Sequence, residues 1–417
     1  MVYLFASLIL LAPLYIWRFS IFGIPSNFLM VWSVLVALWL TFKIVWGGEM
    51  GLFLRKLNEL PLMIKLATGG FILASLVSLF VNGLDGAKLA QGLVLVWLPI
   101  YLAALLYFWT VKRQITQPQI LLWAAVIILG VAGIVSLAQY FWLIGLPIEF
   151  WGNVDEPKRA VGLFIHPNNY ALFVTPLLAY LLPSFVTKIQ EFLHKWQWPD
   201  VIFVLLWVLG AVGLFLSLSR GGWFGLAGAI AVYALTSQLP KIKTLFLFFM
   251  VAIIILVIAT PNLRYRVILP FMGEKSSVAR LSLWDTGWKM IKDSPVLGQG
   301  INGFNYQWDN FNTDPNLDHY NFAHNIVINF WVDYGLLGAL SFMALLAAML
   351  YFSWQRRKSD YWYGMMLFLI ALVIHGLIDI PYLKNDLALV FWLFMALTLA
   401  AYSDKQKLKI DPQTGTI

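Results

Sequence analysis

Residues 200–237 read DVIFVLLWVLGAVGLFLSLSRGGWFGLAGAIAVYALTS, and this stretch decides the fold. Its two apolar runs, 200–218 and 221–237, each approach the roughly 20 residues that carry a helix across a bilayer. A helix that is apolar on every side belongs in a membrane or deep in a large core. The connection, Ser217-Leu218-Ser219-Arg220-Gly221-Gly222, is too short to leave the membrane surface, so Arg220 has little choice but the interface.

Working outward, similar runs recur at 2–17, 26–46, 61–82, 89–111, 119–145, 168–186, 243–260, 325–352, 361–382 and 386–402, which with the first two makes twelve. The chain has 417 residues, 61% hydrophobic and 12% charged, with a mean hydropathy of +0.79. No soluble fold hides that much apolar surface. Twenty Trp and seventeen Tyr suit a protein with many membrane–water boundaries. The absence of cysteine excludes disulfides, thiolate nucleophiles and Cys-ligated metals. Val2 to Trp17 lacks a basic start and a small-residue cleavage site, so it reads as a retained first span. The expected fold is an all-α polytopic membrane protein of about twelve helices. Five spans occupy 1–150, a core with one large loop 151–352, two spans 353–402, and a polar tail, expected to be disordered, 403–417.

Orientation follows from Lys and Arg in short loops. One set of loops, with the tail, holds fourteen of them, whereas the opposite set holds six: Arg18, Lys88, Lys158, Arg159, Arg220 and Lys384. Both termini are therefore predicted cytoplasmic. The polar stretch 261–323 is then extracytoplasmic, and a loop that long is usually functional. Within it, Ser276 to Asp293 reads as a helix, capped by Ser276 or Ser277 and ended by Pro295, Gly298 and Gly300. Leu281, Trp284, Trp288 and Ile291 form one apolar stripe suited to the interface. Arg280 falls in the first turn, where free backbone N–H groups favour an anion.

Four polar clusters converge on the outer face: Arg159 with His166-Pro167-Asn168-Asn169, Ser217 to Gly222, Arg280, and His324-Asn325 followed by Asp333 and Gly335. Arginine is always charged and presents a planar fork to phosphate oxygens. Two or three at an interface can hold a lipid diphosphate and meet the charge that builds as it leaves. The sequence contains no Asp-x-Asp, and Asp309, Asp314 and Asp318 are irregularly spaced, so no metal site is expected. Neutral histidine suits a general base toward a sugar hydroxyl. His324 at a helix start fits best, with His166 and His319 as rivals. The bland readings are headgroup snorkelling for Arg159, lipid anchoring for Arg280, capping for His324 and a turn at His166. His375 and Asp379, at i and i+4 in the run 361–382, either line the site or form a satisfied pair between helices.

These clusters, in this order, resemble the O-antigen ligase and O-antigen polymerase superfamily of bacterial envelope glycosyltransferases. The matching segments are RAVGLFIHPNN (159–169), SLSRGG (217–222), Arg280 with Trp284 and PVLGQGING (295–303), and Ala323-His324-Asn325 through DYGLLG (333–338), about residues 155–340 in all. The resemblance implies metal-independent, cofactor-free transfer of a glycan from an undecaprenyl diphosphate carrier to a sugar or glycolipid acceptor, on the outer face of a bacterial cytoplasmic membrane. It implies that Arg220 and Arg280 bind the diphosphate and that His324 is the base or positions the acceptor. Arg159, His166, Asn169, Asn325, Asp333, His375 and Asp379 are expected to line the substrate site. Asp333 stands where the family more often has Glu.

Ligase and polymerase share donor handling, and the sequence does not separate them. A transporter of a lipid-linked sugar or small anion would instead show midplane charges or broken helices in paired halves. No such pattern is legible here. A structural scaffold explains the spans but not the arginines of the minority side. The partners expected are the lipid-linked donor, the acceptor and the bilayer, with no nucleic acid.

Overall fold

The computed structural model describes residues 1–21, 24–112, 115, 117–153, 157–237, 258–260, 275–315 and 317–410. All but the last three residues of the run 243–260 lie outside these residues, and so does 261–274, the start of the large loop.

The first run is not one helix. Helix α1 (Val2–Leu10) gives way to a 3-10 turn, Ala12–Ile16, that begins around Pro13. An antiparallel ribbon follows, β1 (Arg18–Ile21) on β2 (Ile24–Asn27), with Arg18 opposite Asn27 and Ile21 opposite Ile24. This small ribbon departs from the all-α expectation, and a proline is tolerated in it because a two-stranded ribbon leaves one edge of each strand unpaired. Asn27 then caps α2 (Phe28–Trp46), its side-chain oxygen accepting from Met30 N at 2.9 Å.

The chain continues as α3 (Met50–Asn58), α4 (Leu62–Ser78), α5 (Gly86–Val111), α6 (Gln119–Trp142), α7 (Pro167–His194), α8 (Trp198–Leu216) and α9 (Arg220–Thr236). Then come α10 (Lys275–Asp293), the short α11 (Gly303–Tyr306) and α12 (Trp308–Phe311), α13 (Ile326–Gln355), α14 (Asp360–Gly376) and α15 (Asn385–Ile410). Six of these, α2, α5, α6, α7, α8 and α13, are long and apolar enough to cross a membrane, and α3 with α4, bent by 110°, makes a seventh candidate. Helix α14 and the segment Asp386–Ala401 are apolar but shorter. The chain is a multi-pass helical membrane protein. Where a disordered tail was expected, α15 runs on to Ile410.

Helix α13 packs along α4, α14 along α7 and α9, α15 along α5, and α6 along α8. The α6–α8 contact is close because a Cβ at Gly133 would sit 2.2 Å from Leu209 O, the small-residue packing usual between membrane helices. Phe71, Phe330, Phe342, Tyr382 and Phe391 form a buried aromatic cluster, with Phe330 stacked on Phe342 at 3.9 Å. Tyr382 donates to Leu95 O at 2.7 Å and accepts from Trp392 Nε1 at 2.8 Å, which ties the loop after α14 to the π-turn Leu93–Trp97 in α5. That loop carries Asp379.

Helix α13 is broken at Gly335, where φ is +68° and ψ −175°. The residues 296–300 fill the gap: Gln299 N donates to Val332 O at 2.6 Å, and Leu336 N to Val296 O at 3.0 Å. A broken span was not legible in the sequence. The chain's own backbone occupies its opened groups, so the break forms a joint between loop and helix rather than an ion site. Only glycine adopts that conformation readily, and a Cβ would stand 2.3 Å from Val296 O. Gly335→Ala is expected to destabilise the fold by roughly 1–3 kcal/mol, the usual cost of such strain, read as a lowered thermal midpoint in detergent. An unchanged midpoint would mean that the joint does not support the fold.

The apolar stripe expected on α10 is split. Leu281 and Trp288 are exposed, whereas Leu283, Met290 and Ile291 are buried against Phe304, Trp308, Ala323, Ile328 and Val332. The buried face fastens α10 to the start of α13, which places Arg280 beside the Ala323-His324-Asn325 segment.

Candidate functional site

Each cluster is set by a local device. His166 caps α7, its Nδ1 accepting from Asn168 N at 3.1 Å, with Pro167 at the first helical position. Asn325 caps α13 by accepting from Val327 N and Ile328 N at 3.0 and 3.2 Å, while its amide donates to Leu377 O at 3.1 Å. The residue before the cap is in an unusual conformation at two of these helix starts: Leu218, before α9, has φ +53° and His324, before α13, φ +50°. Non-glycine residues seldom adopt this region, and it concentrates at functional sites.

A connected chain of contacts results. Arg220 Nη2 donates to Ser276 Oγ at 3.2 Å, and Arg280 Nη1 donates to Ser276 O at 3.1 Å. Arg280 Nε reaches across to Ile378 O at 2.9 Å. The next residue, Asp379, is buried and pairs with His324, Nδ1 to Oδ1 at 3.0 Å. Tyr320 lies edge-on to His324 at 5.8 Å, and Trp284 Nε1 donates to His324 O at 3.4 Å. Arg280 sits a full turn into α10 rather than in its first turn, so its own guanidinium, not the helix N–H groups, makes these contacts.

Burial alone would raise the Asp379 carboxyl, but the attraction and hydrogen bond of His324, with His375 and Lys384 behind, hold it well below the usual carboxylate range. A permanent carboxylate at Nδ1 fixes the imidazole with its proton there and leaves Nε2 as the basic nitrogen. Nε2 makes no hydrogen bond among the described residues. The rivals are differently placed. His319 bonds Asn305 at 2.8 Å in an exposed loop, and its nearest carboxylate, Asp309, lies 3.8 Å away in solvent. His166 spends Nδ1 on its cap.

Arg159 bonds Ser217 O and Asn168 Oδ1, both at 3.0 Å, so it braces the turn that carries Arg220. Asn169 accepts from Lys384. His375 and Asp379 do not share a helix, because α14 ends at Gly376, and Asp379 is bonded instead to His324 and to Ile380 N. His375 is buried beneath Gly221, where a Cβ would stand 2.7 Å from its Nε2, so it supports the Arg220 turn from below. Asp333 is also buried, with one oxygen taken by Phe304 N at 3.2 Å and the other by Asn329 Nδ2 at 2.8 Å. It braces the loop at α11.

Sequence reasoning missed Ser276 as the bridge between the two arginines, and Asn329, which holds Ala323 N at 2.7 Å. It counted Lys384 only for topology. Asn325, Asn329 and Asp333 recur every four residues, a polar ladder that marks one helix face. Among the described residues no three His, Asp or Glu side chains form a metal-holding group.

Burial pushes the His166 imidazole down to about 4, and Arg159 and Lys384 push the same way. An unfolded histidine titrates near ~6.5, so between there and about 4 the unfolded chain takes up a proton that the folded one refuses. Stability from this group is therefore present above the unfolded value and falls on acidification. His166→Asn keeps a cap and removes the titration. Its thermal midpoint is expected to drop less from neutral pH to pH ~5 than that of the wild type. Equal drops would show that His166 is not held neutral.

Residues 205–343, a third of the chain, match the family described as O-antigen ligase. No curated protein matches the chain. The matched region runs from within α8 through α9, α10, α11 and α12 to the first half of α13, and so contains Arg220, Arg280, His324, Asn325 and Asp333. Arg220, Arg280 and His324, which the contact chain joins, thus fall within the part of the chain that is similar to the O-antigen ligase family.

Proposed function

We propose that the protein transfers a glycan from an undecaprenyl diphosphate carrier to a hydroxyl of a glycan or glycolipid acceptor at the outer face of a bacterial cytoplasmic membrane. The observation that carries this reading is the contact chain Arg220–Ser276–Arg280–Ile378, ending on the adjacent Asp379–His324 pair. It sets two guanidinium groups beside an oriented base, the parts that glycosyl transfer from a diphosphate needs.

The acceptor oxygen attacks the anomeric carbon of the donor and forms the new glycosidic bond. The bond from that carbon to the diphosphate breaks, and its electron pair leaves with the diphosphate, where Arg220 and Arg280 meet the charge. His324 Nε2 takes the hydroxyl proton, and Asp379 stabilises the resulting imidazolium. Guanidinium groups supply the positive charge, so the reaction is expected to proceed in EDTA. Twelve crossings with both termini cytoplasmic complete the reading. Five of the six minority-side cations have partners that hold them there, Arg220 through Ser276 Oγ as described above. Lys88 is bound by three carbonyls, Lys158 by Tyr140 O, Arg159 by Ser217 O and Lys384 by Asn169.

The test uses purified protein in detergent with EDTA, an undecaprenyl diphosphate-linked oligosaccharide and a panel of acceptors. Mass spectrometry follows free undecaprenyl diphosphate and the glycan's new partner. A single addition identifies a ligase and a ladder of lengths a polymerase. Absence of release with every acceptor would overturn the transferase reading.

A further inference from the structure

A cavity of about 330 Å³ is lined by Phe322 and Lys384, which stand two and five residues from His324 and Asp379, although neither of that pair lines it. The β1–β2 ribbon, the start of α5, the loop between α11 and α13, and Lys384 wall it. That volume is at the lower end of small-ligand sites, roughly 300–1,000 Å³, and admits a mono- or disaccharide end rather than a lipid chain. Neither Arg159, Arg220 nor Arg280 lines it. Its walls carry six carboxamides, Asn27, Gln91, Asn169, Asn302, Asn305 and Asn321. A carboxamide both donates and accepts, as a sugar hydroxyl does, so a set of them suits a polyol, and the charged groups on the walls are Arg18, Asp333 and Lys384. The Oε1 atom of Gln91 has no hydrogen-bond partner among the described residues. Phe322, an aromatic face suited to the C–H side of a pyranose, lines the cavity two residues before His324. Lys384 lines it from the other side and acts on the charge of Asp379.

We propose that this cavity binds the terminal sugars of the acceptor and presents their hydroxyl to His324. The inference rests on the transferase reading and adds a place for the acceptor. Displacement at an anomeric carbon requires the attacking hydroxyl to approach from the side opposite the departing diphosphate. The arginines mark the diphosphate side, and the cavity is walled instead by Phe322, two residues before His324, and by Lys384. The ribbon supplies Arg18, Phe19 and Asn27 to the wall, so the amino-terminal residues outside the family match contribute to acceptor choice.

Two variants test this. Ala87→Trp fills the cavity from α5, and Gln91→Leu removes one carboxamide at nearly constant shape. Each is expected to raise the acceptor KM by about tenfold or more while leaving the donor KM near the wild-type value. In parallel, purified protein is applied to a glycan array carrying neutral, N-acetylated and acidic oligosaccharides. Wild type is expected to bind at least one class, and Ala87→Trp to lose it. A rise in the donor KM alone, array binding equal in all three proteins, or binding to no class would overturn the proposal. Transfer that depends on His324 with an array profile unchanged in Ala87→Trp would sink the cavity assignment and leave the transferase reading intact. Array binding lost in Ala87→Trp, with no transfer by wild type, would do the reverse.

Discussion

His324→Ala is expected to lower glycan transfer by about 10²–10⁴-fold, the contribution of a positioned general base. The loss should appear in kcat, because the imidazole acts on a proton in flight and not on the resting substrate. His324 lies at the mouth of α13, and its side chain is part exposed, so its removal leaves little empty core behind. Membrane insertion and the thermal midpoint should therefore stay near the wild type. Asp379→Asn makes the graded comparison. An amide in place of the carboxylate keeps the shape but no longer stabilises the imidazolium or fixes its proton on Nδ1. That variant is expected to retain only part of the activity across the pH range tested. Steady-state transfer at several pH values, with donor saturating, checks both. Full activity in His324→Ala would remove the histidine from the reaction.

Arg220 carries the second large effect. Removing one preorganised donor from a site of developing charge costs about 10²–10³-fold in kcat, and Arg220→Ala is expected to fall in that range. Arg220→Lys keeps a positive charge but loses the planar fork that engages two phosphate oxygens together, so it should recover only a fraction. Arg220 is the cleaner test than Arg280, whose guanidinium also holds Ile378 O and with it the loop bearing Asp379. An activity loss in Arg280→Ala therefore mixes charge with geometry. Donor binding, measured by competition with undecaprenyl diphosphate alone, should weaken in Arg220→Ala. Unchanged competition together with unchanged turnover would assign Arg220 to the membrane surface and nothing more.

Among the described residues six of the twelve expected spans, or seven with the bent α3–α4 pair, are long apolar helices, and these were legible because hydropathy is a local property. The exceptions are instructive. Pro13 ends α1 early, and a ribbon too short to show a strand pattern follows. Gly335 breaks α13, yet glycine is common in membrane helices and its positive φ leaves no mark in composition. Within the site, Arg159 and Asn168 are nine residues apart, and their pairing follows from a tight turn. His324 and Asp379 are 55 residues apart, on separate elements, and only the packed fold joins them. The spacing of His375 and Asp379 suggested a helical pair because nothing local announced that α14 stops at Gly376. The cavity was invisible for the same reason, since its carboxamides come from five separate segments.

The most direct measurement is a single-turnover assay in EDTA. It follows undecaprenyl diphosphate released from a lipid-linked oligosaccharide by wild type and by the combined variant Arg220→Ala with His324→Ala. Release by wild type, coupled one-to-one to glycan on the acceptor and absent in the variant, is the expected result. Equal release by both proteins, or release by wild type only when a divalent metal is restored, would contradict the account.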